Sequence, residues 1–112
     1  MGIYKRYFDL IVSGRKTIEI RVNDSSRKMI KTGSLIRFRC QDDEILTRVT
    51  RITRYPTFEA MLDHEDLASV NPLATREEQL ASIRQIYPPE REALGVVALG
   101  IELVNPRRTT TR

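Results

Sequence analysis

Residues 14–21, GRKTIEIR, bring together side chains that can bind or transform a ligand. Lys16, Thr17, Glu19 and Arg21 supply an ammonium, a hydroxyl, a carboxylate and a guanidinium group. A carboxylate between two cations accepts hydrogen bonds, while the cations can contact a phosphate or the edge of a base. A desolvated lysine can also act as a base or a nucleophile. Spacing alone favours the alternative, a surface ladder of ion pairs that contributes under about 1 kcal/mol.

The chain has 112 residues, enough for one domain, which we place at residues 1–104, with a basic, disordered tail at residues 105–112. Its longest apolar run is far short of the ~20 residues needed to span a bilayer, and no secretory leader opens it. Cys40 is the only cysteine, so no internal disulfide can form. This composition is typical of the reducing cytoplasm, where we therefore expect the protein.

Charge is unevenly distributed along the chain, whose net charge is +4. Residues 1–54 hold 13 Lys and Arg against 6 Asp and Glu, a net of +7, whereas residues 55–112 hold 6 against 9, a net of −3. A basic half attracts polyanions. The arginines of the middle strands could form a basic sheet surface or could be ordinary solvated side chains (Arg37, Arg39, Arg48, Arg51 and Arg54).

Hydrophobic periodicity predicts an amphipathic helix at residues 3–13, followed by Gly14 in a left-handed conformation. In the second half of the chain it predicts helices at residues 57–65 and 75–87, separated by a short piece that Asn71 and Pro72 interrupt. Thr57 is the expected N-cap of the first of these helices. Thr75 and Glu78 form a capping box that opens the other.

Four segments are predicted to be strands, at residues 17–22, 35–40, 44–55 and 95–104. In the first, Ile18, Ile20 and Val22 should face the core. In the third, apolar residues fall three apart (Leu46, Val49 and Ile52), which indicates a β-bulge. The order of helices and strands does not alternate regularly, so a doubly wound parallel sheet is not expected. We predict an α+β fold in which a small, mostly antiparallel β-barrel has flanking helices.

Other residue types offer weaker sites. His64 has no histidine or cysteine partner at ligand spacing, so no metal site is expected. A glycine-rich phosphate loop is lacking, and no cofactor is expected. Cys40 alternates with apolar residues and is predicted to be a core thiol. The tyrosines could stack on bases or lie half-buried on helices (Tyr4, Tyr7, Tyr55 and Tyr87).

Four segments, in order, resemble the small stand-alone ASCH domain proteins, which are relatives of the PUA domains. They are YFDLIVSGRKTIEIRVND, IKTGSLIRF, YPTFEAML and IYPPEREALGVVALGIELV, and the resemblance runs from about residue 4 to residue 104. It implies a PUA-like barrel with a cleft beside the G-R-K-T strand and a role in binding RNA or nucleotide-like ligands. The ligand contacts that it implies are Arg15, Lys16, Thr17, Glu19 and Arg21.

The resemblance also raises the possibility of catalysis. Some members of the family are reported to be amidohydrolases that deacetylate N4-acetylcytidine, or ribonucleases, in which case Lys16 and Glu19 would be the catalytic residues. This chain departs from the amidohydrolase branch, which has a threonine nucleophile where Glu19 stands. That branch also has an acidic partner before the last helix, whereas Glu77 and Glu78 belong to the capping box here. The family usually has a strand before the first helix, and this chain starts almost at the helix.

Three hypotheses for function follow. The first is a module that binds RNA or a nucleotide in a cleft around Lys16, Glu19 and Arg21, with the basic half attracting phosphate. The second is a hydrolase that acts on an acylated cytidine or on single-stranded RNA through Lys16. The third is a protein-interaction adaptor that uses the helices at residues 57–87.

The geometry of Lys16 and Glu19 provides a test. Being three residues apart, they would lie on opposite faces of a regular strand. The family resemblance implies that they share one cleft. A junction between helix and strand need not keep the two-residue period, and the lysine stem is long. We therefore predict that both side chains open onto the same pocket, with Arg21 at its wall.

Overall fold

The structure, a computed structural model, describes residues 1–104. The tail that the sequence predicts at residues 105–112 lies outside the described residues. Four strands form one antiparallel sheet in the order β1-β4-β3-β2. Their bounds are Ile18–Val22 for β1, Leu35–Cys40 for β2, Asp43–Tyr55 for β3 and Val96–Leu103 for β4. The curled sheet is half of a barrel with helices packed around it, which confirms the predicted α+β class.

Six short helices accompany the sheet: α1 Lys5–Val12, α2 Ser25–Lys28, α3 Phe58–His64, α4 Leu67–Val70, α5 Arg76–Ile86 and α6 Pro89–Glu92. The predicted caps are confirmed. The Thr57 hydroxyl accepts from the backbone N–H of Ala60 at 3.1 Å, and Thr75 and Glu78 form the capping box. Gly14 follows α1 with φ +82°, a left-handed conformation that favours glycine. Within residues 1–104, no helix is long and apolar enough to cross a bilayer.

The predicted bulge lies in β3, where the register against β4 shifts between Val49 and Arg51. The extra residue, Thr50, brings its hydroxyl against the backbone of Gly100 in β4. A Cβ atom at Gly100 would lie 2.8 Å from Thr50 Oγ1, so only glycine fits beside the bulge. The bulge increases the bend of β3 and so helps to curl the sheet.

Residues 1–3 lie along the free edge of β2 and supply the pairing that the family resemblance implies before the first helix. Gly2 forms a parallel bridge with Arg39, and the backbone N–H of Ile3 donates to the Arg39 carbonyl at 3.1 Å. From the other edge of the sheet, Arg21 of β1 donates from Nη2 to the Gly2 carbonyl at 2.9 Å. A side chain therefore bridges the two edges of the half-barrel.

Two groups of buried apolar side chains form the core. One packs α1 against the sheet around Phe38, which is fully buried. The other packs α3 and α4 against β1 and β4 around Phe58 and Met61. Ile18 and Val22 are buried in the second group as predicted, and Ile20 is half-buried at its margin. Cys40, predicted to be a core thiol, is only half-buried because it lies at the end of β2.

An ion pair ties the end of α3 to β3. Arg51 donates to both carboxylate oxygens of Glu65, at 3.1 and 2.8 Å, and the Tyr55 hydroxyl donates to Glu65 Oε2 at 2.5 Å. These hydrogen bonds, with that from Arg51 the largest cause, hold the pKa of Glu65 below its ordinary value of 4.5. Burial, together with Glu65, raises the pKa of Tyr55 to about 12.

Because the pKa of Glu65 is lowered in the folded state, the stability that its carboxylate confers is present above the ordinary carboxyl pKa. It should be lost as the pH falls through the ordinary carboxyl pKa towards the lower pKa of the folded state, where the unfolded state binds the proton first. We expect the denaturation midpoint of Glu65→Gln to depend less steeply on pH in this range than that of the unaltered protein. Glu102→Gln, which removes an exposed partner of Arg48, is the control and should keep the steep dependence.

Candidate functional site

A cleft of about 390 Å³ opens where three parts of the fold meet. One wall comes from residues 2–7, the second from Lys16 and β1, and the third from the segment between Val70 and Tyr87. The cleft lies along the β1 edge of the half-barrel, beside the Arg21 bridge to Gly2. Its volume is in the range of small-molecule sites, which commonly combine apolar walls with a few convergent polar groups.

Lys16 lies between α1 and β1, before the regular strand geometry begins, and its side chain is 4% exposed. Its Nζ donates to the carbonyls of Ile18 and Val70, both at 2.7 Å, and faces Glu19 Oε1 at 3.5 Å. Burial lowers the pKa of Lys16, and the Glu19 carboxylate opposes that shift. Three acceptors around one nitrogen match the three protons of an ammonium.

Glu19 connects the two cations. Its carboxylate is 8% exposed and accepts from Arg21 Nε at 2.7 Å through the oxygen that does not face Lys16. Lys16, Glu19 and Arg21 therefore form one chain of alternating charges, buried at Lys16 and Glu19 and half-buried at Arg21, which we call the charged triad. All three line the cleft. Lys16 and Glu19 share it because Lys16 precedes the strand, so that the two-residue alternation does not apply between them.

Two of the residues expected to contact the ligand lie elsewhere. Arg15 and Thr17 have exposed side chains and are not part of the cleft lining. Their backbones instead fix the turn into β1: Arg15 donates from its N–H to the Leu10 carbonyl at 2.9 Å, and Thr17 to the Ser69 carbonyl at 3.0 Å. These contacts hold Lys16 between α1 and α4.

The lining includes three of the four tyrosines that the sequence offered as possible stacking residues, and one buried polar residue that it did not single out. Tyr7 faces the triad, with Lys16 Nζ 5.5 Å from its ring centroid. Tyr87 lines the far wall and stacks on Phe58 with ring centroids 5.8 Å apart. Gln79 of α5 is 3% exposed. Gln79 lies one helical turn before Ile83, on the face of α5 that the apolar residues turn inward. A polar residue at such an inward-facing position is the signal in the sequence that could have identified Gln79.

A shallow groove adjoins the cleft, and Gly2 belongs to both. Three guanidinium groups line the groove, those of Arg27, Arg37 and Arg39. Among residues 1–104, Glu44 is the carboxylate paired with Arg37 and Arg39, at 3.2 Å from each. The groove therefore keeps an excess of positive charge. By contrast, Arg48 and Arg51 of β3 pair with Glu102 and Glu65, so the wider sheet surface is less basic than the sequence suggests.

His64 is exposed at the end of α3, where Nδ1 lies 2.8 Å from the Ala60 carbonyl and the ring stacks on Tyr55. In the part of the chain that the structure describes, no three His, Cys, Asp or Glu residues come together in a way that could hold a metal ion.

The sequence model of the ASCH domain matches residues 1–105. No protein with a curated description matches this sequence significantly. Among solved structures, hypothetical protein PH0355 is 38% identical, with a TM-score of 0.85 over 93% of this chain and 96% of its own. Protein PF0455 from Pyrococcus furiosus is 36% identical, with a TM-score of 0.75 over 93% of this chain and 94% of its own.

A more distant structure, protein EF3133 from Enterococcus faecalis V583, is 19% identical, with a TM-score of 0.63 over 88% of this chain and 70% of its own. At this identity the likeness concerns the fold alone. The same half-barrel therefore recurs in a protein whose sequence differs at most positions.

Proposed function

Because this chain belongs to the ASCH domain family, we propose that it binds RNA, or a nucleotide-like ligand, by taking a nucleotide into the cleft beside the charged triad. The observation that carries this proposal is the triad itself. Charged side chains with such low exposure are uncommon unless they are paired, and these three converge on a cleft. A structural ion pair alone would not need to line a cavity of this size.

The walls of the cleft suit a base. Tyr7 and Tyr87 line it together with apolar side chains, among them Ile20, Ile83 and Ile86. Aromatic rings bind bases by stacking, which works for every base because each has a π-face. Glu19 and Arg21 supply the polar groups that a base edge or a ribose can contact.

The groove next to the cleft suits phosphates. Arg27, Arg37 and Arg39 line it, and it meets the cleft at Gly2. A strand with one base in the cleft could therefore run its phosphates along these guanidinium groups. Contacts with phosphates release counterions and make the affinity depend steeply on salt.

We expect short single-stranded RNA to bind with an affinity that falls steeply as salt is raised. The double variant Arg37→Ala/Arg39→Ala should reduce the slope of log affinity against log salt by up to about 2, because each lost phosphate contact reduces it by about 1. Fluorescence anisotropy across a salt series measures the slope. Arg76→Ala/Arg84→Ala on α5 is the matched control and should leave it unchanged. A salt-independent affinity, or no binding at low salt, would contradict the proposal.

A pair of variants tests whether the ligand enters the cleft. Ile86 lines it and is 43% exposed, whereas Leu94 lies outside it and is 48% exposed. Ile86→Glu should weaken RNA binding by about five- to tenfold, since it places a carboxylate in the apolar wall against which the base would pack, and Leu94→Glu should not. Equal affinities for the two variants would place RNA elsewhere on the surface.

Hydrolysis is the second candidate, favoured by the lowered pKa of Lys16 within the cleft. The hydrogen bonds of Lys16 weigh against it as a nucleophile, because all three protons of the ammonium face acceptors. Turnover of N4-acetylcytidine or of RNA, lost in Lys16→Met, would establish it.

If no nucleotide binds and a partner protein protects the helices at residues 57–87 instead, the chain is an adaptor. We propose a cytoplasmic location from the single cysteine.

A further inference from the structure

Gln79 carries a fixed amide at the edge of the cleft. Its Nε2 lies within hydrogen-bonding distance of three backbone carbonyls, which share its two protons: those of Leu67 and Asn71 at 3.0 Å and that of Ala74 at 3.2 Å. The opposite orientation of the amide would bring its oxygen against the same three oxygens. Three acceptors around one end of the side chain therefore determine which end is the nitrogen.

The other end of the amide has no partner. Gln79 Oε1 is buried and accepts no hydrogen bond from any group within residues 1–104. Buried acceptors in proteins are nearly always paired, and the exceptions often mark a functional role. Gln79 lines the cleft that holds the charged triad, so a ligand that fills this cleft is a candidate for the missing donor.

Within residues 1–104, no neighbour in the cleft donates a hydrogen bond to Gln79 Oε1. The ammonium of Lys16 already faces Ile18, Val70 and Glu19. Glu19 is itself an acceptor when it is a carboxylate. A ligand in the cleft can bring the donor, and the N–H donors of a nucleotide are the amino and imino groups of its base.

We infer that Gln79 is a specificity-determining residue whose Oε1 accepts a hydrogen bond from an amino group of the bound base. The cleft then prefers bases that carry an exocyclic amine over the same bases without it. This inference rests on the proposed function and adds to it the chemical class of base that the cleft selects.

Matched ligands test the inference on the unaltered protein. Adenosine differs from purine riboside by its amino group alone, and cytidine differs in the same way from pyrimidin-2-one riboside. We expect the amino-bearing member of at least one pair to bind about tenfold tighter or more, because a site built to pair with a donor discriminates strongly against a ligand that lacks it. Isothermal titration calorimetry gives the ratio of affinities directly.

Gln79→Met keeps the length of the side chain and removes the acceptor. Because Gln79 also holds α5 to α4, we expect this variant to lose stability, and its folding is checked by circular dichroism at the temperature of the titration. Structural damage would weaken both members of a pair equally, whereas loss of the acceptor brings their ratio close to one. Gln85→Met, at an exposed position of the same helix, should keep the ratio.

Each outcome has a distinct meaning. Equal affinities within both pairs overturn the inference and leave the proposed function intact, as does binding of RNA without binding of any nucleoside. A preference that survives in Gln79→Met overturns the role of Gln79 and assigns the reading of the amine to another group. Failure of RNA and of every nucleoside to bind overturns the inference together with the proposed function.

Discussion

Replacing Glu19 with glutamine should lower the free energy of unfolding by about 3–5 kcal/mol, which is the cost of breaking a buried ion pair on one side. Glutamine keeps the shape of the side chain but removes its charge. Lys16 and Arg21 would then be two cations close together in a poorly solvated site, with 4% and 14% of their side chains exposed. Chemical denaturation at neutral pH measures the effect.

The chain contains a control for this variant. Glu44 also lies between two cations, Arg37 and Arg39, but its side chain is 42% exposed. Water and salt screen such a pair, so Glu44→Gln should cost less than about 1 kcal/mol. Equal losses in Glu19→Gln and Glu44→Gln would mean that water reaches the charged triad in solution.

A double-mutant cycle separates two causes of the lost stability, the cost of an unpaired charge and the cost of lost packing. Lys16→Met should destabilise the protein strongly by itself, because it leaves Glu19 with one cation and frees two backbone carbonyls. In the Glu19→Gln background the same change should cost less, since it also removes a buried cation without a counterion. The coupling between the two changes is then the interaction of the two charges.

Local patterns were sufficient to predict most of the fold. Thr57 and Thr75 cap helices through atoms three residues away, and the slipped alternation around Val49 marks the bulge directly. The antiparallel class followed from the order of the elements. These features depend on short stretches of chain, which is why a single sequence was enough to find them.

The interior of the cleft depends on contacts that are distant in sequence. Lys16 is fixed by the carbonyl of Val70, 54 residues later, and Arg21 by that of Gly2. Because every residue has a backbone carbonyl, residue types do not show which carbonyl will accept such a hydrogen bond. Arg15 and Thr17 share the segment with Lys16 but point outward, because the turn after Gly14 had no predictable period.

The balance of charge shows the same limit. The first half of the chain has a net charge of +7. The structure pairs Arg51 with Glu65, and Arg48 with Glu102, both from the acidic half. Folding therefore neutralises part of the basic half with carboxylates that are distant in sequence, a result that counts along the chain could not give.

Replacing Phe38 with alanine should lower the free energy of unfolding by about 3–5 kcal/mol, since it leaves a cavity beneath α1. Phe38 is fully buried in β2, three residues from Leu35, which lies on the same strand but is 56% exposed. Leu35→Ala is the control and should change stability by less than about 0.5 kcal/mol.

Phe38 does not line the cleft, so at temperatures where the variant stays folded its affinity for RNA should match that of the unaltered protein. Glu19→Gln, by contrast, should reduce both stability and affinity. The Glu19 carboxylate pairs with two cations that the fold buries or half-buries, and it also lines the cleft. If Phe38→Ala also loses affinity while folded, the position of α1, and with it Tyr7, is part of what prepares the cleft for its ligand.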